Sequence, residues 1–243
     1  MEKISIVIPC YNASDFILQT LNSALSQDYG NYEVIAVDNE STDNTVEIIK
    51  SINNNKFKYS TAKNIYPFCW DEARTKGFET SSGRYLFTLA ADDILLPEYV
   101  SRCMKYISST PDKIKAFQSP IRGFCNDLSE NINPVINVYK SLGDFKNQSL
   151  NKCMVNSPTV IYHRELFEHG LLKTKPEKYS GAADYDLSCK LADNDIFIYP
   201  GNKWLGYYYR WHDKQATWDM HREKNKVDYD KLIQEYWREK WKM

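Results

Sequence analysis

Two adjacent carboxylates, Asp92 and Asp93, end an apolar run from Tyr85 to Ala91 and precede Pro97-Glu98. The run reads as a buried strand. Pro97 fits the start of a helix, where its missing N–H is no loss. In an open α/β sheet, ligands bind beyond the carboxyl ends of the strands. Carboxylates this close repel unless a cation or a shared proton separates them. A hard divalent ion bridging to substrate phosphates is one chemistry that uses such a pair. The competing reading is an Asp-Asp turn that caps the next helix.

The elements that must position this pair follow from periodicity. Ile4–Pro9 is a short β-branched run stopped by proline, a buried strand with Cys10-Tyr11-Asn12 as its turn. Residues 14–27 carry Phe16, Ile17, Leu21, Ala24 and Leu25 on one helical stripe, with Asn12 or Ser14 as the expected cap. Tyr32–Asp38 reads as the second strand. Its polar turn leads to a helix through Ile48, Ile49 and Ile52, with Ser41 or Thr42 as cap. Residues 56–60 form a weaker strand, 64–70 a loop, 72–80 a helix bearing Arg74, and 97–108 another helix. Alternating strands and helices predict a mainly parallel sheet with right-handed crossovers. Such a sheet delivers Tyr11, Asp38, Asp92 and Asp93 to one edge. No Gly-rich phosphate loop follows the first strand, so a metal is the economical partner for phosphates.

Composition narrows the classes. The 243 residues suit one large α/β domain or two small ones, and a net charge of −1 favours neither nucleic acid nor anionic membrane. Aromatics make up 14%, including 18 Tyr and 6 Trp, which suits sugar or nucleoside pockets as well as core. The six Cys show no C-x-x-C spacing, against a disulfide framework or a zinc site. The N-terminus lacks a signal peptide and no window is apolar enough to span a bilayer, which predicts a reduced, cytoplasmic protein.

Several segments then converge. Ser5–Asn12 (SIVIPCYN) resembles the opening strand and turn of family 2 glycosyltransferases, the inverting GT-A enzymes that use nucleotide sugars. Val37–Thr45 resembles that family's Val-Asp-Asp-Gly-Ser-Thr-Asp run, Ala73–Gly77 its Ala-Arg-Asn-x-Gly segment, and Leu89–Asp93 its Leu-Asp-x-Asp-Asp metal site. The resemblance is densest over residues 1–98. It departs in Asn39-Glu40 for Asp-Gly, in Thr75 for Asn, and in Ala90 for the first Asp of the metal motif.

The second half is less regular. Ala116–Phe124 and Val135–Tyr139 read as antiparallel strands of a smaller acceptor-side sheet, residues 145–154 as a short helix and loop, and residues 156–167 as a strand entering a helix. Gly181–Leu187 is similar to the family's Glu-Asp-Tyr-Asp-Leu motif, with Ala183 in place of Glu. Position alone says that Asp184 and Asp186 decorate a helix N-terminus. The resemblance makes Asp184 the catalytic base, ahead of Asp186. Residues 196–199 and 203–209 read as strands, and Tyr209–Thr217 looks like the family's Tyr-Arg-x-His segment.

The resemblance implies a GT-A fold over residues 1–218, with a nucleotide-sugar half (1–98), an acceptor half (99–218), and an amphipathic helix from 219 to 243. It assigns Pro9, Tyr11, Asp38, Arg74, Asp92 and Arg210 to the nucleotide sugar, Asp92, Asp93 and His212 to Mn²⁺ or Mg²⁺, and Asp184 to catalysis. The implied reaction moves one sugar, from UDP by preference, to a glycan or lipid-linked glycan acceptor in bacterial surface polysaccharide or lipo-oligosaccharide synthesis. The rival reading is a degenerate binder, because Ala90 and Ala183 each replace a carboxylate. The tail stripe of Tyr229, Leu232, Ile233, Tyr236, Trp237 and Trp241 packs on the body or on a second subunit. The alternative is light docking on a membrane surface, which would place the protein at the inner face of the membrane.

Overall fold

The computed structural model describes residues 1–64, 69–109, 114–130, 132, 134–201, 204–215 and 227–243. Its spine is a seven-stranded sheet in the order β3-β2-β1-β4-β8-β6-β9. The strands are β1 (Ile4–Cys10), β2 (Tyr32–Asp38), β3 (Phe57–Thr61), β4 (Tyr85–Thr88), β6 (Ala116–Gln118), β8 (Ile161–His163) and β9 (Ile198–Pro200). β1 pairs in parallel with β2 and β4, and β2 with β3, while β8 runs antiparallel to both β4 and β6. β2 is buried along its whole length and β1 everywhere but Pro9, which is why both read as unbroken apolar runs.

Alternation along the strands splits the core. Ile4, Ile6 and Ile8 face α1 (Ile17–Leu25), α2 (Thr45–Lys50) and α4 (Tyr99–Ser109) through Leu21, Ile49, Val100 and Met104. Val7, Ile35 and Val37 face the other layer, built by α3 (Cys69–Thr80), α5 (Leu142–Ser149), α6 (Arg164–Glu168) and α8 (Ala183–Asp193). A short helix, α7 (Pro176–Tyr179), precedes α8. Among the described residues no helix is long and apolar enough to cross a membrane. Cys10, Cys103, Cys125, Cys153 and Cys189 are free thiols.

The second sheet differs from the sequence expectation. It has three strands in the order β5-β10-β7, formed by β5 (Ile94–Leu95), β7 (Ile121–Phe124) and β10 (Tyr207–Arg210). β10 is antiparallel to β5 but parallel to β7, so the sheet is mixed rather than antiparallel. Residues 116–124 split between the two sheets at Pro120, and of 135–139 only Val135 makes a bridge, to Ile121. β7 and β10 are far apart in sequence, so no hairpin dictates their relative direction. Helix caps also differ. Asn12, Ser14, Ser41 and Thr42 cap neither α1 nor α2, because their polar groups join the two preceding loops to each other instead.

The tail forms α9 (Tyr229–Trp241), with residues 219–226 outside the described set. Ile233 and Trp237 are buried against α7 and α8, so that part of its apolar stripe packs on the chain's own body, while Leu232 and Tyr236 stay exposed.

Gly77 sets the distance between α3 and the sheet. A Cβ there would lie 2.2 Å from Val7 Cγ1 and 3.2 Å from Val37 Cγ2. Gly77→Ala should therefore cost about 1–3 kcal/mol through overpacking, a fall of several degrees in Tm for a chain this size. Gly143→Ala in α5, whose added Cβ meets nothing closer than 3.9 Å, is the control and should not lower Tm.

Candidate active site

The carboxyl ends of β1, β2 and β4 open on one edge. Cys10 pairs with Asp38, Pro9 with Val37, and Val7 with Thr88. The two loops that leave β1 and β2 are sewn together. Asn12 N–H donates to Ser41 Oγ at 2.9 Å, Thr42 N–H to Asn12 Oδ1 at 2.8 Å, and Ala13 N–H to Thr45 Oγ1 at 2.8 Å. Asp43 accepts from Ser14 N–H at 3.1 Å and Thr45 N–H at 3.0 Å. Burial pushes the Asp43 carboxyl up, but the bonds from Thr45 and Ser14 outweigh it and hold it at about 2. Asp38 is 3% exposed and accepts from Ser41 N–H, while Tyr11 beside it is open to solvent.

The two carboxylates after β4 have separate fates. Asp93 is 0% exposed, and its oxygens accept from the Tyr207 hydroxyl at 2.6 Å and from Arg210 N–H at 2.8 Å. Burial and the neighbouring Asp92 push it well above the usual carboxylate range, beyond what Tyr207 and Arg210 offset. It has no exposed oxygen to offer a cation, so the expected metal ligand is instead a tie between β4 and β10. Asp92 stays at the edge, with Oδ2 2.9 Å from His212 Nε2. The His212 ring lies 4.5 Å from that of Phe16.

Arg210 was expected to meet phosphate. Its Nε instead donates to the Asp92 carbonyl at 2.7 Å and its Nη2 to Gln19 Oε1 at 2.5 Å, with the guanidinium between the rings of Phe16 and Phe124. It is 6% exposed and braces the turn that presents Asp92. Arg74 also departs from its expected place beside the nucleotide residues. Its Nη2 donates to Asp71 Oδ1 at 2.5 Å and to the Leu172 carbonyl at 3.0 Å. It lies within electrostatic reach of Asp184, and among the described residues its buried Nε has no hydrogen-bond partner.

Asp184 stands in the first turn of α8. Burial raises its carboxyl above the ordinary value, opposed by a bond from the Ser157 hydroxyl, the Tyr185 N–H at 2.7 Å and the Arg74 charge. Asp186 points elsewhere: it is 2% exposed and accepts from Trp237 Nε1 at 2.9 Å. Sequence reasoning missed Tyr207, Gln19, Ser157 and Trp237. Each acts through a contact distant in the chain, which no local pattern encodes.

Asp92 Oδ2 and His212 Nε2 are hydrogen-bonded to each other at 2.9 Å. A carboxylate suits Mn²⁺ or Mg²⁺ and an imidazole suits first-row transition metals, so a divalent cation held here would take the place of the proton between them. Among the described residues no group of three or more His, Cys, Asp or Glu gathers for a metal, so a ligand such as a diphosphate would complete the shell.

Comparison with known proteins bears on the family and the fold. The family model described as "Glycosyl transferase family 2" matches residues 5–171. A curated relative, the UDP-Glc:alpha-D-GlcNAc-diphosphoundecaprenol beta-1,3-glucosyltransferase WfaP of Escherichia coli, is 36% identical over 109 residues, 45% of this chain and 43% of that protein. Chondroitin synthase of Pasteurella multocida is 28% identical over 199 residues, 78% of this chain and 19% of its own length. The chain thus spans less than half of either relative. Among solved structures, S. aureus TarS 1–349 in complex with UDP-GlcNAc superposes with a TM-score of 0.71 at 21% identity, covering 88% of this chain and 60% of that one. The mannosyltransferase PcManGT of Pyrobaculum calidifontis, in complex with GDP-Man and Mn²⁺, gives 0.65 at 18% identity over 94% and 63%. These structural likenesses speak for the fold. The sequence match, which covers well over half of the chain, makes the protein a member of glycosyl transferase family 2.

Proposed function

We propose that this protein transfers one sugar, with inversion, from a nucleoside diphosphate sugar to an acceptor hydroxyl. The observation that carries the reading is the open carboxyl edge of β1, β2 and β4, where Asp38 and the Asp92–His212 pair stand together on a braced frame. UDP is the favoured nucleotide, since the E. coli relative is named for UDP-Glc and TarS was solved with UDP-GlcNAc. The acceptor is a glycan or lipid-linked glycan of a bacterial surface polysaccharide, in keeping with the diphosphoundecaprenol acceptor in the E. coli enzyme's name. Residues 1–98 hold the donor and 99–218 the acceptor.

Asp38 accepts from the base imide N–H or a ribose hydroxyl, and Tyr11 and Pro9 line the same pocket. Asp92 and His212 would hold Mn²⁺ or Mg²⁺, which would supply positive charge against the diphosphate leaving group. Asp184 takes the proton from the attacking hydroxyl, which then displaces the diphosphate from the opposite face. Its raised carboxyl makes it a stronger base than an ordinary aspartate, and the Ser157 hydroxyl and the Arg74 charge oppose that rise. The second reading, a binder without turnover, draws on Ala90 and Ala183, each of which stands where a carboxylate is common.

A thermal-shift panel of UDP, GDP, CDP and dTDP with Mn²⁺, Mg²⁺ or EDTA should show one nucleotide stabilising strongly with metal. At a hundred times its Kd that ligand contributes about 2.7 kcal/mol. Asp92→Asn and His212→Ala should each leave only the shift seen in EDTA. A panel with no shift for any nucleotide would sink the donor assignment.

Asp184→Asn should lower kcat by about 10²–10⁴-fold while nucleotide binding persists. In the wild type kcat should fall with acidification as Asp184 takes up a proton, with the midpoint above the ordinary aspartate value of about 3.9. A D184N variant with wild-type kcat would remove Asp184 from the role of base.

A further inference from the structure

The departure at Ala183 has a physical occupant. Ala183 is 0% exposed, in a cluster with Leu150, Tyr179, Tyr185, Cys189, Ile233 and Trp237. Two of these, Ile233 and Trp237, belong to α9 and lie one helical turn apart on its buried face. A glutamate at 183 would drive a carboxylate into that apolar cluster. The acidic side chain and the docked helix therefore exclude each other here.

The same helix reaches α8 at both ends. Near the start of α8, Trp237 Nε1 donates to Asp186 Oδ1 at 2.9 Å in a buried setting. Near its end, Trp241 Nε1 donates to Asp193 Oδ1 at 3.0 Å and Lys240 Nζ meets Asp193 Oδ2 at 2.5 Å. Arg238 adds a bond to the Leu150 carbonyl at 2.9 Å, and the Tyr185 hydroxyl donates to the Ser149 carbonyl, so α5 belongs to the same joint.

α8 needs outside support. Its N-cap position is Ala182, with no side-chain cap, and the preceding turn holds Ser180 at a φ of 47°. Uncapped, a first turn frays. Residues 184 and 186 lie about 200° apart around the helix axis, on nearly opposite sides. Asp184 is held from one side by Ser157, and Asp186 from the other by Trp237.

We propose that Trp237 and Asp186 are a positioning pair: their bond fixes the first turn of α8 so that the Asp184 carboxylate faces the acceptor hydroxyl. The Trp237 turn of the C-terminal helix is then part of the catalytic scaffold, and it occupies the space that the absent glutamate would fill. This rests on Asp184 as base.

The test compares indole-to-phenyl changes at the two ends of α8. The donor is whichever of UDP-glucose, UDP-galactose, UDP-GlcNAc and UDP-GalNAc the wild type turns over. Trp237→Phe keeps the packing and removes the N–H to Asp186. It should lower kcat by ten- to a hundredfold, the range expected for a slightly misplaced catalytic group, with the Kd for UDP within twofold of wild type. Trp241→Phe removes a similar bond about 13 Å along α8 from Asp184. It should lower Tm and leave kcat in place. Should W237F fail to fold, Asp186→Leu breaks the same bond without stranding a buried charge, and the same kcat loss is expected. The pair is overturned if the variant that folds keeps wild-type kcat, or if W237F and W241F lose kcat alike in step with Tm. D184N is assayed beside them: wild-type turnover there would fail the base assignment itself, whatever Trp237 does.

Discussion

The constraint on which the site depends is the burial of one carboxylate out of an adjacent pair. Asp92 and Asp93 follow the same strand, and two charges at that spacing repel. The chain resolves this by turning Asp93 into the core, where a hydroxyl and a backbone N–H from β10 receive it. A buried carboxylate without donors would cost several kcal/mol, so β10 is obliged to lie where it does. The contact spans more than a hundred residues of sequence. Once Arg210 is fixed by its N–H, its guanidinium reaches back to the Asp92 carbonyl and to Gln19, and His212, two residues on, arrives beside Asp92. One buried acid thus positions the partly buried Asp92–His212 pair.

The edge of β1 and β2 follows a different principle. Its loops are held by short polar bonds, by the Asp43 carboxylate on the Ser14 N–H and by the Lys214–Asp15 ion pair at 2.8 Å. Asn12 and Glu40 take φ values of 47° and 60° to make the turns. A left-handed backbone at a non-glycine residue costs roughly 1–2 kcal/mol. Asn bears this comparatively well, while Glu40, standing where the family pattern has Gly, is held by the Asn64 N–H on its carboxylate at 3.1 Å. Such strain gathers where a surrounding frame over-determines the chain.

The sheet was legible because parallel strands must be apolar on both faces. Ile4–Pro9 and Tyr32–Asp38 read as β1 and β2 nearly to the residue, and their ends named Asp38 as an edge residue. Sequence also grouped Asp92 and His212, far apart in the chain, through the motifs that resemble the family, and their side chains meet at 2.9 Å. It did not reveal which of two adjacent carboxylates points inward, because that depends on a tyrosine and an N–H more than a hundred residues away. Nor did it reveal that Arg74 and Arg210 act as struts. An arginine in a motif looks the same whether its guanidinium meets a phosphate or a backbone carbonyl. The parallel pairing of β7 with β10 was unreadable for a related reason, since no short turn joins them. The apolar stripe of α9 was visible, and its packing on the body followed, but the indole N–H that links it to Asp186 was not.

The two alanines that break the family pattern are not equivalent. Ala183 is filled over by α9, so the loss of a charge there is matched by apolar burial and by the bond from Trp237. Ala90 has no such compensation; it lies partly exposed at the end of β4, and its carbonyl closes the turn to Asp93 N–H at 3.2 Å. With Asp93 committed to the core, the donor edge beyond β4 presents Asp92 as its carboxylate and His212 as its imidazole. A hard cation at two protein ligands keeps most of its shell for water or phosphate oxygens. On the proposed reading, metal and nucleotide would therefore bind as a unit, the diphosphate supplying ligands that Ala90 and Asp93 do not. Linkage would make this reciprocal, each raising the affinity of the other by the same factor. The missing carboxylate would then shift the burden of holding the ion from the protein to its substrate.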